Sequence, residues 1–195
     1  MKSGEVVTNK LVIFDIDDTL VHTATKIHVV KGGHIVQSLF SHEFTHYVPG
    51  PGESFDFSPM ANAQEFFEKS TPIIPMIDQL TTDINTGNKV VMITARSDFD
   101  DKELFLNTFR KYGVNMSKVH VYRAGNVIGP PIDVKKANIT RKLLSEGNYT
   151  KVIMYDDSVP NLRAFLALHT EHVDAKFYAW QVSLDGETKE YGRAG

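Results

Sequence analysis

The clearest pattern along the chain is a series of short, β-branched apolar runs, each ending on a polar residue. Lys10-Leu-Val-Ile-Phe-Asp15 is the first, and similar runs recur over 89–94, 118–122, 151–155 and 175–180. Runs of this length bounded by polar residues read as buried strands. Between most of them apolar residues return at helical spacing. Over 75–84, Met76, Ile77, Leu80 and Ile84 share a face, with Gly87 as a stop. Over 100–112, Leu104, Phe105, Thr108 and Phe109 do the same, before Gly113. The segments 134–144 and 159–168 follow suit. Strands alternating with helices predict an α/β fold: a Rossmann-like parallel sheet with helices on both faces.

The stretch 21–71 breaks the alternation. Segments 25–30 and 34–40 flank Lys31-Gly32-Gly33, which predicts a β-hairpin. Pro49-Gly50-Pro51-Gly52 forces a loop, and 62–69 reads as a short helix. The stretch is expected to be a small cap insertion beside the strand ends, leaving 1–20 and 72–195 as the core. After Trp180, Leu184-Asp185-Gly186-Glu187 reads as a final turn followed by loose residues.

Ligands of parallel sheets bind beyond the carboxyl ends of the strands. The polar residues here fall at those ends: Asp15 and Asp17, Thr94 and Arg96, Arg123, then Asp156 and Asp157. A carboxylate so placed can attack phosphorus and form an acyl-phosphate, which suits Asp15. Asp17 can give a proton to the leaving oxygen and take one from water. An anion approaching a phosphate needs counter-charge, which Mg²⁺ held by aspartates supplies; Asp15, Asp156 and Asp157 are the natural ligands, and Asp17 is expected among the metal-binding residues as well. The Thr94 hydroxyl and the Lys136 ammonium suit the phosphoryl oxygens. Arg123 and Lys26 are candidate substrate contacts. Each residue also has a plainer reading: Thr94 as a helix cap, Lys136 as a solvated helix residue, Arg96 as a surface partner of Asp98 or Asp100.

Taken together, these residues resemble the haloacid dehalogenase (HAD)-like superfamily of phosphohydrolases. Its four motifs occur in order as Phe-Asp15-Ile-Asp17-Asp-Thr19, Ile-Thr94-Ala-Arg96, a lysine near a helix start, and Tyr-Asp156-Asp157. Within the superfamily the chain is most similar to the 3′-phosphatase domains of phage polynucleotide kinase-phosphatases. Val91-Met-Ile-Thr-Ala-Arg96, Asp133-Val-Lys-Lys136-Ala-Asn-Ile139, Tyr155-Asp-Asp-Ser158 and Trp180-Gln-Val182 carry that likeness. The resemblance implies a Mg²⁺-dependent phosphomonoesterase with an aspartyl-phosphate intermediate, acting on a nucleotide or a phosphorylated nucleic-acid end. It selects Lys136 over Lys135 as the family lysine, and it implies that Arg96 and Thr19 contact the substrate. The chain departs from the pattern at Ile132, where those domains carry an acid, and at Asp18, often glycine in the superfamily.

Composition narrows the partners. The 195-residue chain has 42% hydrophobic and 23% charged residues and a formal net charge of −3, so an extensive nucleic-acid-binding surface is not expected. No apolar run approaches the ~20 residues of a membrane span. The segment 1–10 is polar, without the apolar stretch of a signal peptide. With no cysteine, disulfides and thiolate-bound metals are excluded, and a cytoplasmic location (a host's, if the source is viral) is expected. Two rival readings stand beside the phosphatase. His42-Glu43-Phe44-Thr45-His46 matches the His-Glu-x-x-His pattern of zinc metalloproteases, but its flanks offer no long amphipathic helix. A catalytically idle binding module would keep the fold without needing Asp17.

Overall fold

The computed structural model describes residues 9–44 and 46–195. The chain opens with β1 (Lys10–Phe14), then β2 (Val21–His22), β3 (Ile27–Lys31), β4 (His34–Leu39), α1 (Ser41–Phe44) and β5 (Glu53–Asp56). There follow α2 (Ala63–Lys69), β6 (Thr71–Pro72), α3 (Ile74–Asn85), β7 (Lys89–Thr94), α4 (Lys102–Arg110) and β8 (Val119–Arg123). The last elements are α5 (Ile132–Glu146), β9 (Lys151–Asp156), α6 (Val159–Ala167), β10 (Lys176–Val182) and β11 (Thr188–Ala194). The fold is mixed α/β. Its central sheet runs β11-β10-β9-β1-β7-β8, parallel throughout except for β11.

Alternation along β1 explains the layers. Val12 and Phe14 pack with Met76, Leu80, Phe105 and Phe109 from α3 and α4. Leu11 and Ile13 pack with Leu143, Leu144, Leu162 and Phe165 from α5 and α6. Successive side chains of a strand face opposite sides. A strand apolar at every position is therefore covered on both faces, as the unbroken run predicts. Each fully buried large side chain contributes on the order of 1.5–3 kcal/mol. Gly113 ends the α4 segment with φ +84°, a left-handed conformation that a β-carbon would oppose.

The order of the strands sets the site. From β1 the chain moves outward through β7 to β8, then crosses by α5 to β9 on the other side of β1 and continues to β10. The direction reverses between β1 and β9, the kind of crevice where such sheets bind ligands.

Three features differ from the sequence expectation. The residues after Trp180 are not loose: β11 pairs antiparallel with β10, from Val182↔Thr188 to Phe177↔Ala194. Its charged, weakly apolar sequence is that of an edge strand. The outlying hairpin gains a third strand, giving the sheet β4-β3-β5. The α2 helix, which falls within 21–71, belongs to the core: Phe66 is fully buried against Phe99, Phe105 and Phe109 at centroid distances of 5.1, 5.4 and 6.3 Å. The ends of the stretch meet in a two-stranded ribbon, Val21↔Pro72 and His22↔Thr71.

Among the described residues, no helix is long and apolar enough to cross a membrane. The segment 1–8 and Thr45 lie outside the described residues.

Replacing Phe66 with alanine should therefore cost about 3–5 kcal/mol in urea denaturation despite its place in the interrupting stretch. Ile35→Ser, on the exposed face of β4, should stay within about 0.5 kcal/mol of the parent.

Candidate active site

The site grows from the register of β1 with its neighbours. Phe14 pairs with both Met92 and Tyr155, so Asp15 and Asp156 follow paired residues on adjacent strands. The Asp15 amide donates to the Tyr155 carbonyl at 2.9 Å. One carboxylate oxygen from each of Asp15, Asp156 and Asp157 lies within 4.8 Å of the others; among the described residues this is the group able to hold a metal. Three hard oxygen donors suit a divalent cation such as Mg²⁺.

Lys136, in the second turn of α5, neutralises part of this charge. Its ammonium donates to Asp15 Oδ1 at 2.7 Å and to Asp156 Oδ2 at 2.8 Å, and the residue is buried. Burial alone would push the ammonium's pKa down; the Asp15 and Asp156 carboxylates overcome this and hold it above the ordinary lysine value. Burial is also the main influence on Asp15, raised from 3.8 to about 7, with Lys136 opposing and Asp156 and Asp17 adding to the rise. Asp157 is raised to about 8, first by burial and then by Asp156 and Asp15.

Asp156 is fixed from the α6 side. The Asn161 amide donates to Oδ1 at 2.9 Å and Oδ2 at 3.1 Å, and the Ser158 N–H donates to Oδ1 at 2.9 Å. Sequence reasoning passed over Asn161. Its position in the first turn of a helix that starts at the rim was the available signal.

Asp17, expected among the metal-binding residues, is not part of this three-carboxylate group. The chain folds back at once after Asp15: the Leu20 and Val21 amides both donate to the Ile16 carbonyl, and Asp18 takes φ +57°. This turn presents the Asp17 carboxylate to Arg96. The guanidinium donates from Nε to Oδ2 at 2.8 Å and from Nη2 to Oδ1 at 2.7 Å, a bidentate fork. Its Nη1 donates to the Met60 carbonyl at 2.7 Å and Nη2 to Thr23 Oγ1 at 3.1 Å. Arg96 is buried, beside the rings of Phe66 and Phe99. It is neither the surface partner of Asp98 nor a free phosphate clamp. Its Nε, Nη1 and Nη2 are engaged by Asp17 and by Thr23 and Met60 of the inserted segment, so it positions Asp17.

The other expected residues fall as follows. Thr94 ends β7, fully buried, and its Oγ1 accepts from the Arg96 N–H at 3.1 Å, so it shapes the loop that carries Arg96. Thr19 is fully buried, its hydroxyl has no partner, and it does not line the cavity at the rim. Arg123 also lies away from that cavity: Nε donates to Asp98 Oδ1 at 3.0 Å while the guanidinium packs over Phe105 and Phe99. The Lys26 ammonium lies over the Phe40 ring. His42 and His46 do not assemble with Glu43 into a metal-binding group among the described residues. Glu43 instead accepts from the Phe40 N–H at 2.8 Å, capping a four-residue helix too short to present the zinc-protease pattern.

A residue without any sequence signal is Gly125. A β-carbon there would lie 2.5 Å from the Ala95 carbonyl oxygen and the Ser97 nitrogen. Only glycine lets the chain after β8 approach the Arg96 loop this closely.

Above the carboxylates is a cavity of about 590 Å³. Asp15, Asp17, Asp157 and Lys136 line it together with Ile27, Phe44, Phe57 and Met60 from the inserted segment. Against family models and curated proteins, the chain finds no match.

The raised carboxyls bear on stability. Their ordinary value is 3.8 and the folded values are about 7 and 8. Between these limits the folded state holds protons that the unfolded state has lost, so their stabilising contribution falls as pH rises from about 4 to 8. Chelator-treated protein should show this fall in thermal melts, and Asp157→Asn should make it shallower. Lys136→Met, which strands two buried carboxylates, should cost about 3–5 kcal/mol at neutral pH by urea denaturation.

Proposed function

We propose that this chain is a HAD-like, Mg²⁺-dependent phosphomonoesterase that works through an aspartyl-phosphate on Asp15. The observation that supports it most is the convergence of Asp15, Asp156, Asp157 and Lys136 at one switch point, beneath a cavity of substrate size. Asp15, Asp156 and Asp157 would hold the ion. Bound there, Mg²⁺ supplies counter-charge for two approaching anions and polarises a phosphoryl oxygen.

An Asp15 carboxylate oxygen forms a bond to phosphorus as the bond from phosphorus to the ester oxygen breaks. The leaving oxygen receives a proton from Asp17. Water then attacks phosphorus, giving its proton to Asp17, and the bond from phosphorus to Asp15 breaks to release inorganic phosphate. Lys136 holds Asp15 in place and offsets charge on the transferring group. Arg96 keeps the Asp17 carboxylate over the rim. Asp15 is itself buried, which limits the access of bulk water to the acyl-phosphate.

Purified protein with Mg²⁺ should hydrolyse p-nitrophenyl phosphate, and EDTA should stop it. Asp15→Asn should lower turnover by at least about 10³-fold, the loss expected when a nucleophile is removed. Activity surviving Asp15→Asn would refute the mechanism.

A further inference from the structure

The lining of the cavity has a composition that the phosphoryl chemistry does not require. Four carboxylates line it, Asp15, Asp17, Asp133 and Asp157, against three cations, Arg96, Lys135 and Lys136. Arg96 is already committed to Asp17, Met60 and Thr23, and Lys136 to Asp15 and Asp156. Lys135 is the lining cation outside those networks. A substrate whose leaving group carried further phosphodiesters would bring negative charge to a lining in which carboxylates outnumber cations.

The same cavity has two aromatic residues in its lining. Phe44 and Phe57 both line the cavity, and Phe57 keeps 49% of its surface exposed. Phe44 meets Phe57 edge-on, with centroids 5.5 Å apart and an interplanar angle of 86°. Phe55 braces the pair, meeting Phe44 at 4.9 Å and 85°. Rings fixed in this way offer a rigid flat surface at little entropic cost, and their faces attract another π-system. Aliphatic polyols gain little from such a surface. The volume, about 590 Å³, lies within the roughly 300–1,000 Å³ typical of pockets that enclose a small ligand.

Resting on the phosphatase reading, we infer that Phe44 and Phe57 seat the leaving group of the substrate, and that this group is a single nucleoside. The substrate is then a nucleoside monophosphate rather than the phosphorylated end of a polynucleotide. The base stacks on the Phe57 ring while its phosphate reaches Asp15. Phe57 is a specificity residue: it selects the ester and takes no part in the bond changes.

The test compares nucleoside 3′- and 5′-monophosphates, the same phosphate at the end of a ten-nucleotide single strand, and ribose 5-phosphate. Steady-state kinetics are measured on the full chain with Mg²⁺. One of the mononucleotides should exceed both ribose 5-phosphate and the oligonucleotide in kcat/KM by at least about tenfold, in line with the value of stacking one base on an aromatic ring. Phe57→Ala should cut the kcat/KM preference for that mononucleotide over ribose 5-phosphate by about tenfold, mainly through KM, and Phe57→Trp should restore the preference. Equal kcat/KM for ribose 5-phosphate and the nucleotides would overturn the proposal. So would a preference for the oligonucleotide, or equal losses on all esters in Phe57→Ala. Calorimetric binding of the same ligands to Asp15→Asn protein separates the two readings. Absence of turnover on every ester refutes the phosphatase, whereas the nucleoside seat stands or falls on whether the mononucleotide binds more tightly than ribose 5-phosphate.

Discussion

A single buried ammonium holds this molecule's working end together. Lys136 reaches from α5 to Asp15 at the end of β1 and to Asp156 at the end of β9. Those two strands are adjacent and parallel, so their carboxylates are forced together by the sheet itself. Three acids crowd one pocket with one lysine to answer them, and the imbalance appears as the raised pKa values of Asp15 and Asp157. The lysine gains its place because the crossover helix must pass between β8 and β9 over that switch point. Topology, rather than any local propensity of residues 133–138, brings the charge to where it is needed. A buried ion group of this kind is poor as a stabiliser and effective at fixing one arrangement.

Much of this was readable in the chain. Strands as apolar as Leu11–Phe14 had to be covered on both faces, and the polar residue after each had to emerge at a common rim. Asp15, Lys136, Asp156 and Asp157 converge as that logic requires. The roles of Arg96 and Arg123 were not readable, because they depend on partners far away in sequence. Arg96 finds Asp17 seventy-nine positions away, and no periodicity encodes such a pairing. β11 was obscured for a different reason. An edge strand needs only one apolar face and carries charges on the other, so Thr188–Ala194 has the composition of a loop. The α2 helix was placed by sequence neighbourhood with the outlying hairpin, but Phe66 follows the aromatic cluster of α4 instead.

Arg96 links the two halves of the architecture. Its fork orients Asp17, and its remaining donors reach Thr23 and Met60 on either side of the outlying sheet. Displacing that sheet therefore disturbs a carboxylate at the rim through one guanidinium. The left-handed Asp18 and the close approach of Gly125 serve the same end, since both fix the backbone on which this fork depends. Arginine suits the position because a planar fork specifies angle as well as charge, which a lysine would not.

The short ribbon of Val21–His22 with Thr71–Pro72 has a consequence for how such a chain can diversify. By clamping both ends of the intervening stretch at the spacing of paired strands, it removes the length of that stretch from the folding problem of the sheet. Doubling a loop whose ends are already held costs only about 0.6 kcal/mol in closure entropy. That stretch can thus be lengthened, shortened or rewritten while β1, β9 and α5 keep their registry. The ribbon is a mounting point for interchangeable parts, separating the inserted segment from the strand ends that carry the carboxylates.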